Sequence, residues 1–503
     1  MTAVAGPPKA GAGERAAERV RALAGDHASA APRLVSVTVP APDLDPVGLF
    51  AAARTSGLDP ALWRQPADHL AIVGIGEAWA TSPAGPGRFA EAAAAWAALA
   101  GAAAISDDSG PARGTGPLLL GGFAFDADGG ADAAWAGFGA GRLVLPLLSW
   151  ARTPEGSWLT MNVVASRPGG DARRGGDDGE RPPRRAESPV RSDDPDALAD
   201  LWARTVATVE AAAAAGLGDP VAAGRSTLRV VGGAPSIDAW RATVDRYAGA
   251  VGRGRVDKVV LARRVDLVAD GRVDVGAALR SLSASALGST VFAVARGDAV
   301  FLGATPERLV RTEGRDARTV AIAGTAPRGS DPAEDDALAA DLLASEKERE
   351  EHEVVVRMLR DSLRPLCASL EIAPAPRIIR LGTVQHLCTD VSARTTDRNG
   401  ILSLVGVLHP TPAVGGQPRD AALDLIRDQE PIDRGWYAGP LGWLDRDGDG
   451  EFVVALRSGV VRSDRVSLFA GCGIVADSDP DREWEESRIK LRALGGALGS
   501  ADL

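Results

Sequence analysis

Lysine is almost missing from this chain of 503 residues: only Lys9, Lys258, Lys347 and Lys490 stand among 56 lysines and arginines. Nearly every positive position is arginine, which cannot give up its proton inside a protein. Cysteine is nearly as scarce. Cys367, Cys388 and Cys472 form no CxxC pair and are too few to staple so long a chain, which excludes a disulfide scaffold and fits a reducing compartment. No run of about 18 apolar residues occurs, and the first residues lack the apolar core of a secretory signal, so a cytoplasmic protein without a membrane span is expected. Positive charge is also in deficit, with 56 basic against 67 acidic residues and a formal net charge of −11. A polyanion would be repelled, which argues against nucleic acid or an anionic membrane as partner and leaves room for a local basic pocket that takes an acidic small molecule; the expected state is a monomer.

The remaining composition, 45% hydrophobic and 24% charged, is that of a soluble globular chain long enough for a large core. Residues 1–30, rich in Ala, Gly and charge, read as a frayed tail or one loose helix. Residues 31–165 read as sheet with few helices: "RLVSVTVP", "HLAIVGIGEAWA", "GPLLLGGFAF", "GRLVLPLLSW" and "SWLTMNVVAS" are strand-like, and "RFAEAAAAWAALAG" is helical. Residues 166–196 hold almost no apolar side chain, so burial cannot offset the entropy of ordering them, and a mobile insertion is expected. Residues 197–503 then alternate helices near 197–215, 236–252, 274–287 and 480–498 with strands. A long helical stretch is expected at 334–370, and "LVGVLHPTPAVGG" is read among the last strands.

The rare lysine at 258 opens the strand-like run "KVVLARRVDL", where Lys258, Val260, Ala262 and Arg264 share one face. A strand-end lysine reaching water is the plain explanation. The alternative is chemical: a partly desolvated lysine can reach a pKa of about 7–8 and serve as a base, which arginine cannot. Glu307 sits where "FLGATPERLV" breaks at Pro306; it is either a turn residue facing solvent or, if partly buried, a proton donor near neutrality. On a helix, Glu351 shares its face with Val354, Val355 and Met358 and so projects inward. Glu483, Glu486, Ser487 and Lys490 share another helical face, as an exposed ladder or as a second source of inward carboxylates. Two inward glutamates without a His or Cys cluster suit a hard, oxygen-seeking ion such as Mg²⁺. "DRDGDGEF" has the early spacing of a calcium loop but Leu456 at its twelfth position, so it reads as a hairpin turn.

In order, "KVVLARR", "FLGATPERL", "AIAGTAPRG", "SEKEREEHEVVV", "VQHL", "LHPTPAVGGQPRDAALDLI", "EPIDRGWYAGPLGWLD", "GEFVVALRSG" and "FAGCGIVADSDPDREWEESRIKLRAL" resemble the chorismate-utilising enzymes, and among them the isochorismate synthases most. The resemblance is dense over 236–498 and loose over 31–165. It implies an α/β (α+β) fold, with two packed antiparallel sheets and helices outside, both halves of the chain contributing. It also implies Mg²⁺-dependent action on chorismate. Lys258 would activate water for attack at ring C2, and Glu307 would protonate the departing C4 hydroxyl. Glu351 and Glu486 would bind Mg²⁺, with Glu483 orienting a metal-bound water. Arg457 and Lys490 would bind carboxylates, Gly324, Thr325, Gly471 and Gly473 would make backbone contacts, and His386, Ala413 and Tyr437 would wall the pocket. Cys472 replaces the alanine usual in "GAGI". Lysine rather than glutamine at 258 favours water over ammonia as nucleophile; salicylate formation with loss of pyruvate, or a non-catalytic chorismate-binding subunit, are the alternatives. The product would feed menaquinone or siderophore biosynthesis.

Overall fold

The computed structural model describes residues 11–24, 32–110, 112–165, 193–215, 227–286, 288–381, 384–396 and 400–500. Among them, eleven α-helices surround one sheet of thirteen strands and one of ten, mixed α/β as the sequence pattern leads one to expect. All strand pairings but one are antiparallel; the exception joins Arg33–Pro40 to Ala104–Asp107.

The sheets exchange chain where proline or a short turn interrupts an apolar run. "GRLVLPLLSW" breaks at Pro146 into Gly141–Leu145 of the smaller sheet and Leu148–Thr153 of the larger. "FLGATPERLV" breaks at Pro306, so that Ala299–Thr305 lies in the larger sheet and Arg308–Glu313 in the smaller. The return passage runs from Gly450–Val454 to Ser458–Arg462. The two passages are stitched together: Val454 N donates to Glu307 O at 3.0 Å, and Thr305 Oγ1 donates to Val454 O at 2.6 Å.

One apolar core includes side chains of both sheets, among them Trp63, Phe292 and Phe301 from the larger and Phe123, Trp443 and Phe452 from the smaller. The second core packs residues of the larger sheet, such as Val73, Trp150 and Leu302, against helices that include Pro46–Thr55, Pro195–Ala214 and Val275–Ser285. At about 1.5–3 kcal/mol for each large side chain fully removed from water, these cores are what hold the helices in place.

Several expectations are corrected. Residues 11–24 form a packed helix, with Ala12, Ala16, Ala17 and Val20 buried in the second core, because small side chains let it lie close on the sheet and on Pro195–Ala214. Of the expected insertion, residues 166–192 lie outside the described residues, and Asp194 already caps the helix that follows. The stretch 334–370 is two helices, Pro332–Ala344 and Glu346–Leu363, divided by Ser345, whose hydroxyl accepts from Glu348 N; a strand, Cys367–Ile372, follows. "LVGVL" belongs to the helix Ile401–Leu408, an apolar run too short for its period to decide its state. "DRDGDG" is the expected hairpin turn, with Asp445 Oδ1 accepting from Asp447 N and Asp449 N.

Candidate active site

The Lys258–Ala269 strand runs antiparallel to Arg465–Ile474, with Val260 opposite Gly473 and Ala262 opposite Gly471. Lys258 itself pairs with Gln417 of a two-residue strand. Glycine at 473 leaves room for the lysine: a Cβ there would stand 2.3 Å from Lys258 Cε and 2.9 Å from Nζ. The lysine side chain is 15% exposed, and its amine forms an ion pair with Glu351 Oε1 at 2.6 Å. This is the contact that joins the rare lysine to the helix Glu346–Leu363. Glu351 stands at the margin of that helix's buried stripe, which is centred on His352, Val355, Val356 and Leu359 rather than on Val354 and Met358. Burial works against the Glu351 carboxylate, but Lys258, Lys347 and Lys490 outweigh it and hold its pKa below the ordinary value.

Glu307 occupies the passage between sheets, so its backbone is fixed from both sides. Burial pushes its carboxyl up to about 7, against a weak hydrogen bond from Thr411 Oγ1 at 3.4 Å and the fields of Lys258, Lys490 and Arg457. A carboxyl in this state can donate a proton near neutral pH. Arg457 lies in the return passage at φ 50°, and Ala304 N donates to its carbonyl. Burial lowers the Arg457 pKa, and among the described residues no carboxylate lies within ion-pair distance of its guanidinium. A half-buried cation left in this condition is suited to an anionic group of a ligand.

The smaller sheet contributes a bulge. The register of Asp316–Pro327 against Val384–Thr395 shifts between Ala323 and Thr325, and Gly324 takes φ 76°, which a side chain would strain. Thr325 turns its Oγ1 to His386 Nδ1 at 2.9 Å, and its N–H donates to Glu348. Burial, with Arg457 nearby, pulls His386 down to about 4, so its imidazole is neutral at physiological pH.

On the last helix, Pro480–Leu498, Lys490 pairs with Glu486 at 2.7 Å and donates to Gly471 O at 2.9 Å. Oxygens of Glu483 and Glu486 and the sulfur of Cys472 lie within 4.8 Å of one another. Burial and the charge of Glu486 raise the Glu483 carboxyl, against Ser478 and the charges of Lys490 and Lys258. Cys472 is kept a neutral thiol by burial and points its S–H to Glu483 O at 3.1 Å, which leaves oxygen donors for an ion. This donor set fits Mg²⁺, which takes carboxylate oxygens and retains water. Glu351 does not join that group of three in this structure, because Lys258 holds it. Tyr437, stacked on Phe469 with ring centroids 5.5 Å apart, has its hydroxyl beside Gly471. Ala413 lies in the 409–415 loop with Thr411.

Sequence reasoning gave no role to the pair Glu430 and Arg434, both almost wholly buried and joined at 2.6 Å. Glu430 accepts from Ala262 N, while Arg434 donates to Val260 O and Val414 O, so the pair ties the Lys258 strand to the 409–415 loop. Its signal was the i,i+4 spacing in "EPIDRGW". Thr411 and Ser478, which touch Glu307 and Glu483, carried no signal beyond their types.

Residues 18–174 and 192–499 match the family described as chorismate binding enzyme. The chain is 38% identical over 480 residues to the salicylate biosynthesis isochorismate synthase of Pseudomonas aeruginosa, covering 95% of this chain and 93% of the relative. It is 32% identical over 474 residues to isochorismate synthase MenF of Bacillus subtilis, covering 93% of each. The solved structure of MenF, the menaquinone-specific isochorismate synthase of Escherichia coli, superimposes with a TM-score of 0.73 at 25% identity, covering 97% of this chain and 99% of that one. This chain belongs to the chorismate binding enzyme family.

Proposed function

We propose that the protein is an isochorismate synthase, converting chorismate to isochorismate by adding water at ring C2 and expelling the C4 hydroxyl as water. The observation that carries the reading is that a largely buried lysine amine and a buried protonatable carboxyl, Lys258 and Glu307, stand close enough to feel each other's charge, with Arg457 acting on the same carboxyl. The relatives matched over more than nine tenths of this chain are named isochorismate synthases, which supports it.

In this reading Arg457 and Lys490 hold substrate carboxylates, and the glycines at 471 and 473 let the ring approach the strand. When its ion pair with Glu351 opens, the Lys258 ammonium first releases a proton to solvent, and the neutral amine then takes one from the attacking water. Glu307 gives its proton to the leaving hydroxyl, so the pair ends one proton richer at the amine and one poorer at the carboxyl, and solvent resets both. The neutral His386 and Tyr437 line the pocket without adding charge. Glu351, Glu486 and Glu483 would hold Mg²⁺. When bound, that ion would neutralise a ring carboxylate and draw electron density toward it.

Purified protein incubated with chorismate and Mg²⁺ should yield isochorismate as the major product on chromatography. Salicylate with equimolar pyruvate would replace this reading with a lyase, and calorimetric binding of chorismate without any product would replace it with a carrier.

A further inference from the structure

A second cleft, of about 410 Å³, contains none of the groups assigned above. It opens at the start of the helix Arg88–Gly101, whose N-cap is Gly87 and which no side chain caps. Arg88 is 5% exposed; its guanidinium lies over the Phe89 ring, 4.6 Å from the centroid, and makes long contacts to the carbonyls of Gly85 and Ala124, at 3.5 and 3.3 Å, while its Nε has no hydrogen-bond partner. Arg419, across the cleft, donates to the Val407 carbonyl. Among the described residues neither arginine meets a carboxylate within ion-pair distance. The one carboxylate lining the cleft, Asp126, already accepts from Arg427 at 2.7 Å. Two guanidiniums without an ion pair, offset only by the more distant charges of Asp126, Asp128 and Asp420, beside an uncapped helix N-terminus favour an anion. Phe89, Phe125, Leu402 and Leu423 supply an apolar wall, with Ser403, His409 and the paired Arg427 beside it.

We propose that this cleft is a second ligand site, built for a small aromatic monocarboxylate, with the carboxylate on Arg88 and Arg419 and the ring against Phe89 and Phe125. Its volume is that of a site for a small organic molecule. The cleft is physically continuous with the catalytic groups. His409 lines it and donates from Nε2 to Phe125 O at 2.9 Å; two residues on, Thr411 reaches Glu307, and Gly415 O accepts from Val260 N. Occupancy should therefore slow amide exchange through 409–417.

The test is calorimetry on the full chain without chorismate, using benzoate and, separately, inorganic phosphate, so that it stands apart from the catalytic assignment. Benzoate should bind saturably, persist in Arg457→Gln, weaken tenfold or more in Arg419→Gln, and vanish in Ser403→Trp, which fills the cleft from its exposed rim. Both cleft variants should keep wild-type melting behaviour and chorismate turnover, so that a folding defect is recognised. The proposal is overturned by the absence of saturable binding up to about 10 mM, or by phosphate binding as tightly as benzoate. It is equally overturned if benzoate binding is lost in Arg457→Gln yet retained in Arg419→Gln and Ser403→Trp, since the catalytic pocket would then be the binder.

Discussion

Replacing Gly473 by alanine asks how tightly the Lys258 amine must be placed. The added methyl would stand 2.3 Å from Lys258 Cε, whereas carbon atoms in contact rest about 3.5–4.0 Å apart. Lys258 Cε must therefore withdraw by about 1.2 Å or more. A misplacement of about 1 Å at a catalytic group can cost about 10²-fold in rate, or about 2.7 kcal/mol of barrier. The fold should be spared, because Gly473 lies outside the left-handed region and the nearest atoms to the new methyl belong to the far end of one flexible side chain. Steady-state conversion of chorismate should show kcat lower by about 10²-fold with KM changed little, since in the proposed mechanism the amine acts on water rather than holding the substrate. In a Lys258→Ala background the same replacement should do nothing further, because no amine is left to displace. A soluble Gly473→Ala enzyme with more than about a third of the wild-type kcat would refute the argument, as would a double variant markedly slower than Lys258→Ala.

Glu307→Gln removes a carboxyl whose pKa is raised from 4.5 to about 7. The stability this acid contributes is complete below 4.5 and is lost as pH rises through about 7, so between pH 5 and 8 the wild type should lose up to about 3 kcal/mol relative to the variant in urea titrations. Parallel titrations would show the carboxyl to be unperturbed. For the wild type, kcat/KM should also fall above about pH 7 as the acid ionises; a flat profile to pH 9 speaks against Glu307 as proton donor. Glu351→Gln and Glu486→Gln should each raise half-saturating Mg²⁺ by about tenfold or more, and an unaltered metal titration removes that residue from the ligand set. Arg434→Met should destabilise the fold by about 3–5 kcal/mol in urea unfolding, since Glu430 would be left buried without its partner; a loss under about 1 kcal/mol would mean that Glu430 finds another.

What could be read from the sequence was what local chemistry determines. The strand-like run after Lys258 and the charged closing helix formed where the sequence placed them, and Pro306 marked a real interruption. The meaning of that interruption was not legible, because passage from one sheet to another depends on strands far away in the chain, here Gly450–Val454 and Ser458–Arg462. The helix Ile401–Leu408 was misread for a related reason: an apolar run of eight residues, with Ser403 its one polar member, is too short for its period to show. At the site, Lys258 stood out by rarity and Glu351 by helical spacing. Their direct contact is tertiary information. Arg434 was hidden among 56 basic residues, and its buried pair with Glu430 is tertiary information that the i,i+4 spacing alone does not give.

The two proline-broken and turn-broken passages beside Glu307 carry a mechanical consequence. The amine rides on the larger sheet, whereas the carboxyl and Arg457 sit on the seams that bind that sheet to its neighbour. Any slippage of one layer over the other shifts the Lys258 amine against the Glu307 carboxyl before a single strand detaches. Heat or mutation that loosens the seam should therefore silence the chemistry while circular dichroism still reports an intact protein.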